Sequence, residues 1–416
     1  MVRIFVYADW VGLDGPLLMG ELTAESSKGK EVFSFSYDKN WLKEQAALEL
    51  DPDLRLYGGP QYLGEEKPNF GLFTDSSPDR WGRVLMQRRE ALNARQEGRR
   101  PRGLMESDYL LGVFDTYRVG ALRFKLDTAG VFLDDSMAMV APPMTSLRRL
   151  EAASLHLEDD GAGEDPAFSV WLNQLISPGA SLGGARPKAS VIDPDGQLWI
   201  AKFPSRNDEH DMGGWEAVVH ELARMAGLDV PEGRARRLTR RHHTFLTRRF
   251  DREGSDRIHF ASAMTLLGKT DGADAAANVS YLHLAELLQR QGAHPVRDLE
   301  ELWRRIVFNI CISNSDDHLR NHGFLLSPKG WRLSPAYDLN PVVHATGLTL
   351  NITEQSNELD IDLAREVAGQ FRVEREKREA IIKRVVDAVG EWQEVATRTG
   401  ISRNERERME GAFIKL

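Results

Sequence analysis

The stretch Asn314-Ser315-Asp316-Asp317-His318-Leu319-Arg320-Asn321 gathers two acids, two amides and two basic residues within eight positions. It follows directly on the apolar run Ile306-Val307-Phe308-Asn309-Ile310-Cys311-Ile312, which reads as core. A core helix that opens into such a polar cluster needs a reason. Asp316 and Asn321 have the spacing D-x-x-x-x-N, which suits phosphoryl transfer. The carboxylate can accept the proton of an attacking hydroxyl, and the amide oxygen can help hold a magnesium ion. Both are wanted because that transition state is stabilised by position and counter-charge. A further acid, Asp338, lies in Leu333-Ser334-Pro335-Ala336-Tyr337-Asp338-Leu339, after a hairpin-like stretch over 323–333. At that place it would bind the metal that bridges nucleotide phosphates. The bland alternative makes it a turn or helix-cap residue.

Upstream lies Ser181-Leu182-Gly183-Gly184-Ala185-Arg186-Pro187-Lys188. Gly183, Gly184 and Ala185 can bring backbone amides close to phosphates, with Ser181 and Lys188 beside them. It is not a Walker A loop, because the Lys does not directly follow a Gly and is not directly followed by Ser or Thr. The segment feeds a hairpin over 187–203, whose return strand Leu198-Trp199-Ile200-Ala201-Lys202-Phe203 carries Lys202. On period-two alternation Lys202 shares a face with Leu198 and Ile200. A lysine there is costly unless paired. A nucleotide phosphate and a helix carboxylate would serve, with Glu216 the first candidate and Glu221 the second. The chain order is therefore phosphate loop, strand Lys, helix Glu, Asp with Asn, metal Asp. That ordered set points to ATP and Mg2+ as cofactors.

The elements that must position these groups are legible from patterning. Strands are expected at 2–7, 32–35 and 120–125, and 79–96 is polar and helix-favouring. The stretch 134–145, with Pro142-Pro143, reads as a linker. Helices are expected at 145–156 and 166–176. The stretch 214–226 is strongly amphipathic, with Trp215, Val218, Val219, Leu222, Met225 and Ala226 on one face and Gly227 as its stop. From about 260 onward helices dominate; the best has Leu299, Leu302, Trp303, Ile306, Val307 and Ile310 on one stripe. The expected fold class is α+β and two-lobed. Its segments are a β-rich 1–140, a mixed 145–258 carrying the phosphate loop and lysine, and a helical 259–416 carrying the catalytic and metal loops.

The chain has 416 residues and a single cysteine, Cys311, so no internal disulfide can form. That suits a reducing compartment. The opening MVRIFVYADW lacks the layout of a signal peptide, and no apolar run reaches the roughly 18 residues that span a bilayer. A cytoplasmic protein without a membrane partner is the simplest reading. The formal charge of −9 argues against broad nucleic-acid binding by the whole chain. Two basic stretches, 95–102 and 234–249, read as solvated faces.

Taken together, these segments resemble the HipA-type serine/threonine kinases, the toxins of bacterial type II toxin–antitoxin systems. The 314–321 stretch is similar to their N-[ST]-D-x-H-x-x-N loop, and 181–188 to their phosphorylatable glycine loop. Ala336-Tyr337-Asp338 resembles their metal-Asp segment, and Arg249-Phe250-Asp251-Arg252 the strand end at their adenine hinge. Ser77-Pro78-Asp79-Arg80-Trp81-Gly82-Arg83 is similar to the L-P-D-x-x-x-R stretch of their N-terminal subdomain. Arg248 stands where some members have Glu. The resemblance implies Asp316 as base, Asn321 and Asp338 as magnesium ligands, and Lys202 on ATP phosphates. It implies Arg249 and Phe250 at the adenine site and Ser181 as an autophosphorylation site. His318 would shape the loop, as a structural histidine or with a direct catalytic part. It further implies a small helix-turn-helix antitoxin (HipB-like), contact with DNA only through that partner, and a protein substrate such as an aminoacyl-tRNA synthetase. Residues 1–140 would dock and brace the antitoxin complex. Two other readings are a small-molecule or lipid kinase, and a kinase-like, non-catalytic subunit of a DNA-bound repressor complex.

Overall fold

A computed structural model of the 416-residue chain describes all residues except 28, 44–48, 65, 135–141, 160–168, 170–171, 173–174, 176–185, 240–241 and 415–416. The chain forms two compact units, Met1–Arg206 with Asp251–Ala261, and Asn207–Phe250 with Ser262–Leu416. The three consecutive segments expected from the sequence are thus grouped differently, since the first unit closes only with a segment that follows Phe250.

The first unit is built on an antiparallel sheet of β1 (Val2–Ala8), β2 (Leu17–Ser27), β3 (Lys30–Tyr37), β4 (Gln61–Tyr62) and β5 (Leu122–Lys125), in the order β4-β3-β2-β1-β5. The period of two seen in the sequence is obeyed. Ile4, Val6 and Ala8 are fully buried, and Phe33, Phe35 and Tyr37 line the same core with Phe70, Phe73 and Phe124. Arg118 lies wholly inside this core. Its guanidinium donates to the carbonyls of Ser76, Leu110, Val113 and Leu133 at 2.8–3.2 Å. Four accepting oxygens make a buried arginine tolerable; burial still pulls its pKa down, to about 9. Helix α1 (Arg80–Gln96) starts on Asp79, whose carboxylate accepts from the Gly82 amide.

The expected hairpin is β6 (Lys188–Ile192) and β7 (Leu198–Lys202), joined by a turn in which Gly196 takes a positive φ of 77°. The segment returning after Phe250 is pinned to this unit. Asp251 accepts from the Gly120 amide at 2.9 Å, and Arg252 donates to the carbonyls of Gly120, Thr116 and Arg118.

The second unit is mainly helical. Helix α2 (Met212–Ala226) is capped by Asp211, two residues before the expected start, and ends on Gly227 at φ 83°, the stop its pattern predicts. A short hairpin, β8 (Gly233–Arg236) with β9 (Thr244–Arg248), follows. Helices α3 (Tyr281–Gln291) and α4 (Pro295–Cys311) make the centre, and α4 buries Leu299, Leu302, Trp303, Ile306, Val307, Phe308 and Ile310 completely. The hairpin β10 (Gly323–Ser327) and β11 (Gly330–Leu333) comes next, then α5 (Arg375–Gly390) and α6 (Trp392–Thr399). The β-rich first part and helical last part give the α+β class expected. The expected helix at 166–176 falls largely outside the described residues; the helix expected at 145–156 is Leu147–Leu157.

Candidate functional site

The polar cluster after α4 forms a stapled loop. The chain leaves the helix through Ser313, which takes a positive φ of 52°. Asn314 then bonds back to Asn309, backbone to backbone at 2.9 Å and side chain to side chain at 3.1 Å. Asp316 is exposed. Its neighbour Asp317 is the opposite, a buried carboxylate. One oxygen, Oδ2, accepts from the Tyr281 hydroxyl at 2.5 Å, the Asn309 amide at 2.7 Å and the His322 ring at 3.0 Å. Burial pushes the Asp317 carboxyl up, but the His322 charge and the bonds from His322 and Tyr281 outweigh it, and the net shift is downward. The same surroundings hold the Tyr281 hydroxyl well above its usual range. Asp317 thereby ties the loop to α3, α4 and the start of β10.

Asn321 lies at the end of this loop, buried. Its Nδ2 donates to the Asp316 carbonyl at 2.9 Å, which turns Oδ1 away from that bond. Oδ1 is buried with no hydrogen-bond partner among the described residues. A buried acceptor left open is costly, and a cation would satisfy it. Asp338 is half-buried and takes a positive φ of 57°. The two loops are joined next to these residues, because the Tyr337 hydroxyl donates to the Arg320 carbonyl at 2.6 Å. The approach to Asp338 is braced from α4: Arg305 donates to the Ser334 carbonyl at 2.7 Å and Asp298 accepts from the Leu333 amide at 3.1 Å. Among the described residues no group of three or more His, Cys, Asp or Glu could hold a metal. Magnesium does not need one. It keeps several waters and is bound by one or two protein oxygens plus substrate phosphates. Asn321 and Asp338 fit that pattern.

His318 is half-buried, and its Nδ1 is buried without a partner among the described residues. Its backbone carbonyl accepts from the Asn321 amide at 2.8 Å, which shapes the loop. Phe250 packs on Tyr337, ring centroids 5.6 Å apart, and Arg249 is buried. Glu216 is buried on α2, whereas Glu221 is engaged by Arg224 at 2.7 Å. In the first unit Lys202 is half-buried at the end of β7. Ser181, Gly183, Gly184 and Ala185 lie outside the described residues. Lys188 is the other residue expected among the phosphate contacts. Its ammonium is buried in the first unit and donates to the Asp79 carboxylate at 2.7 Å. A lysine so enclosed needs an acid beside it.

Sequence reasoning missed the Asp317 hub and the Asp79–Lys188 pair. The doubled Asp was a signal for the first, but Tyr281 lies 36 residues upstream and nothing local links the two.

The fold is that of the two-lobed α+β protein-kinase-like class. A chain in the solved complex of the Shewanella oneidensis toxin–antitoxin system HipA, HipB and operator DNA aligns over 98% of this chain and 94% of that one, with a TM-score of 0.65 and 17% identity. The HipA-like C-terminal domain family matches residues 180–393, more than half of the chain, and the chain belongs to that family. Among curated relatives, the Serine/threonine-protein kinase toxin HipA of Shewanella oneidensis is 24% identical over 78% of this chain and 73% of its own length. Y4mE of Sinorhizobium fredii is 30% identical over 38% of this chain. The matches span only 41% of Y4mE and 63% of a Haemophilus influenzae relative. No helix among the described residues is long and apolar enough to cross a membrane.

Proposed function

We propose that this chain is an ATP- and magnesium-dependent serine/threonine protein kinase, the toxin half of a HipA/HipB-like toxin–antitoxin pair. The observation that carries the reading is the open Oδ1 of Asn321, buried in a loop that also exposes Asp316 and is bonded to the segment of Asp338. In this reading Asp316 accepts the proton of a serine or threonine hydroxyl as it attacks the terminal phosphate of ATP. Asn321 and Asp338 hold magnesium, which when bound neutralises charge on the phosphates. Lys202 takes phosphate charge and Glu216 orients Lys202; Glu221 is less suited, being already engaged by Arg224. Phe250 and Arg249 border the adenine. His318 shapes the loop.

The acceptor in this reading is a translation factor such as an aminoacyl-tRNA synthetase, and the enzyme also modifies its own Ser181. The partner is a HipB-like helix-turn-helix antitoxin that links the kinase to DNA. Support comes from the name of the Shewanella oneidensis relative and from the composition of the solved complex. The test is transfer from γ-labelled ATP with magnesium, using the wild type and Asp316→Asn. Label on protein that disappears in the variant supports the reading, and mass spectrometry places it at Ser181 or elsewhere. Label on a small molecule or lipid alone overturns the protein-kinase assignment.

A further inference from the structure

Helix α4 is apolar along its inward stripe, yet two opposite charges, Glu301 and Arg305, lie buried on it one turn apart. Their side chains are 10% and 3% exposed and meet at 3.0 Å. A buried ion pair often adds no more stability than apolar groups of the same volume would. What it supplies instead is direction, because both partners carry hydrogen-bonding atoms in a fixed geometry.

Those atoms reach two separate stretches of chain. Glu301 Oε1 accepts from the Asp229 amide at 3.0 Å and from Arg305 Nε at 3.0 Å. Its Oε2 accepts from Nη1 of Arg304 at 2.8 Å, which also donates to the Gly227 carbonyl at 3.0 Å. The acid therefore holds residues 227–229, where the chain leaves α2. Arg305 also donates to the Ser334 carbonyl at 2.7 Å. The two stretches are bonded to each other as well, since the Asp229 carbonyl accepts from the Ala336 amide at 2.7 Å. Ala336 is two residues before Asp338. Asp338 takes a positive φ of 57°, a conformation that costs energy for a residue with a side chain and persists where neighbouring structure holds it.

We infer that Glu301 and Arg305 are positioning residues for Asp338: by fixing 227–229 and 334–336 against α4, they hold in place the segment that presents Asp338 to magnesium. This rests on the reading of Asp338 as a metal ligand. It also links α2, the helix of Glu216, to the metal segment through the main chain of Asp229. The Asp229 side chain has no part in that link; it is 47% exposed and meets Arg297 at 3.3 Å.

The test uses the full chain and titrates magnesium at fixed ATP, reading nucleotide binding beside thermal unfolding. Glu301→Gln removes the charge that fixes the Arg305 fork. Arg305→Lys replaces the fork by a single ammonium, which cannot serve Glu301 and Ser334 in the same geometry. Both changes conserve size and polarity, so either folded variant decides the matter. Each is expected to raise the magnesium concentration for half-maximal binding about tenfold, a size usual for a residue that supports a metal ligand. The double variant is expected to stay within about twofold of the worse single one, because both act through one connection. Asp229→Ala is expected to leave the titration unchanged. Lower melting temperatures in the single variants with a wild-type magnesium requirement would show a role confined to stability and overturn the inference. So would effects that multiply in the double variant, or a shift in Asp229→Ala as large as theirs. If wild-type ATP binding does not depend on magnesium, the reading of Asp338 falls and the inference with it. A magnesium-dependent wild type with unshifted variants removes only the inference.

Discussion

Asp317→Ala removes the acceptor on which three donors converge. Tyr281 Oη, Asn309 Nδ2 and His322 Nε2 would all be left without the carboxylate, inside a core where the tyrosine and the histidine are 0% and 1% exposed. Each buried donor that loses its partner costs about 1–3 kcal/mol, and the terms do not simply add because the groups share one oxygen. A total of about 3–5 kcal/mol is expected, the range for breaking a buried charged pair. For a unit of this size that lowers the melting temperature by about 6–20 °C. Tyr281→Phe removes one donor only and should cost about 1–2 kcal/mol. Urea unfolding followed by tryptophan fluorescence is a suitable assay, because Trp303 is buried on α4, the helix that also carries Asn309. The dependence on pH has a definite sign. The folded carboxyl of Asp317 sits below its ordinary value, so its stabilisation is fully present above the unfolded pKa of about 3.9 and is lost as pH falls through the folded value. The wild type should therefore lose stability on the acid side that Asp317→Ala no longer has to lose. A cost for Asp317→Ala within about 1 kcal/mol, or one no larger than that of Tyr281→Phe, would refute the hub.

Four further outcomes are expected. Asp316→Asn keeps the fold and Mg·ATP binding but lowers turnover by about a hundredfold or more in the labelled-ATP assay, since the group acts mainly in the transition state. Asp338→Ala loses the magnesium dependence of nucleotide binding, read by titrating ATP with and without the metal. Lys202→Met weakens ATP binding while the melting temperature without nucleotide stays level or rises, because a partly buried ammonium is removed; a sharp loss of stability with unchanged binding would make Lys202 structural. Arg118→Leu strands four buried carbonyls and should destabilise the first unit by about 3 kcal/mol or more in urea unfolding.

Local periodicity made much of this legible. The stripe on α4 and the alternation on β1 and β3 are properties of neighbouring residues, and they were readable without a partner. The end of α2 was readable for the same reason, since Gly227 acts on its own helix, whereas the Asp211 cap was not read. Asp316 and Asn321, near neighbours in sequence, share a single loop closed by the Asn321–Asp316 bond. What escaped depends on contacts between distant residues. The bond from Lys188 to Asp79 is one such contact, since the acid lies 109 residues upstream. The position of 251–261 escaped for the same reason, because no local pattern says that Asp251 reaches back to Gly120.

That last attachment sets an order of events during synthesis. The first unit contains residues 1–206 but is closed by 251–261. A ribosome adding about 5–20 residues per second takes several seconds to make the intervening stretch. During that interval the Gly120 amide and the carbonyls of Thr116 and Arg118 wait for Asp251 and Arg252. Meanwhile α2 has already emerged, although α5 and α6, which pack on it, lie beyond residue 262. The nascent chain therefore passes through a stage at which neither half is finished. A fragment released at that stage contains Lys202 but not Asp316.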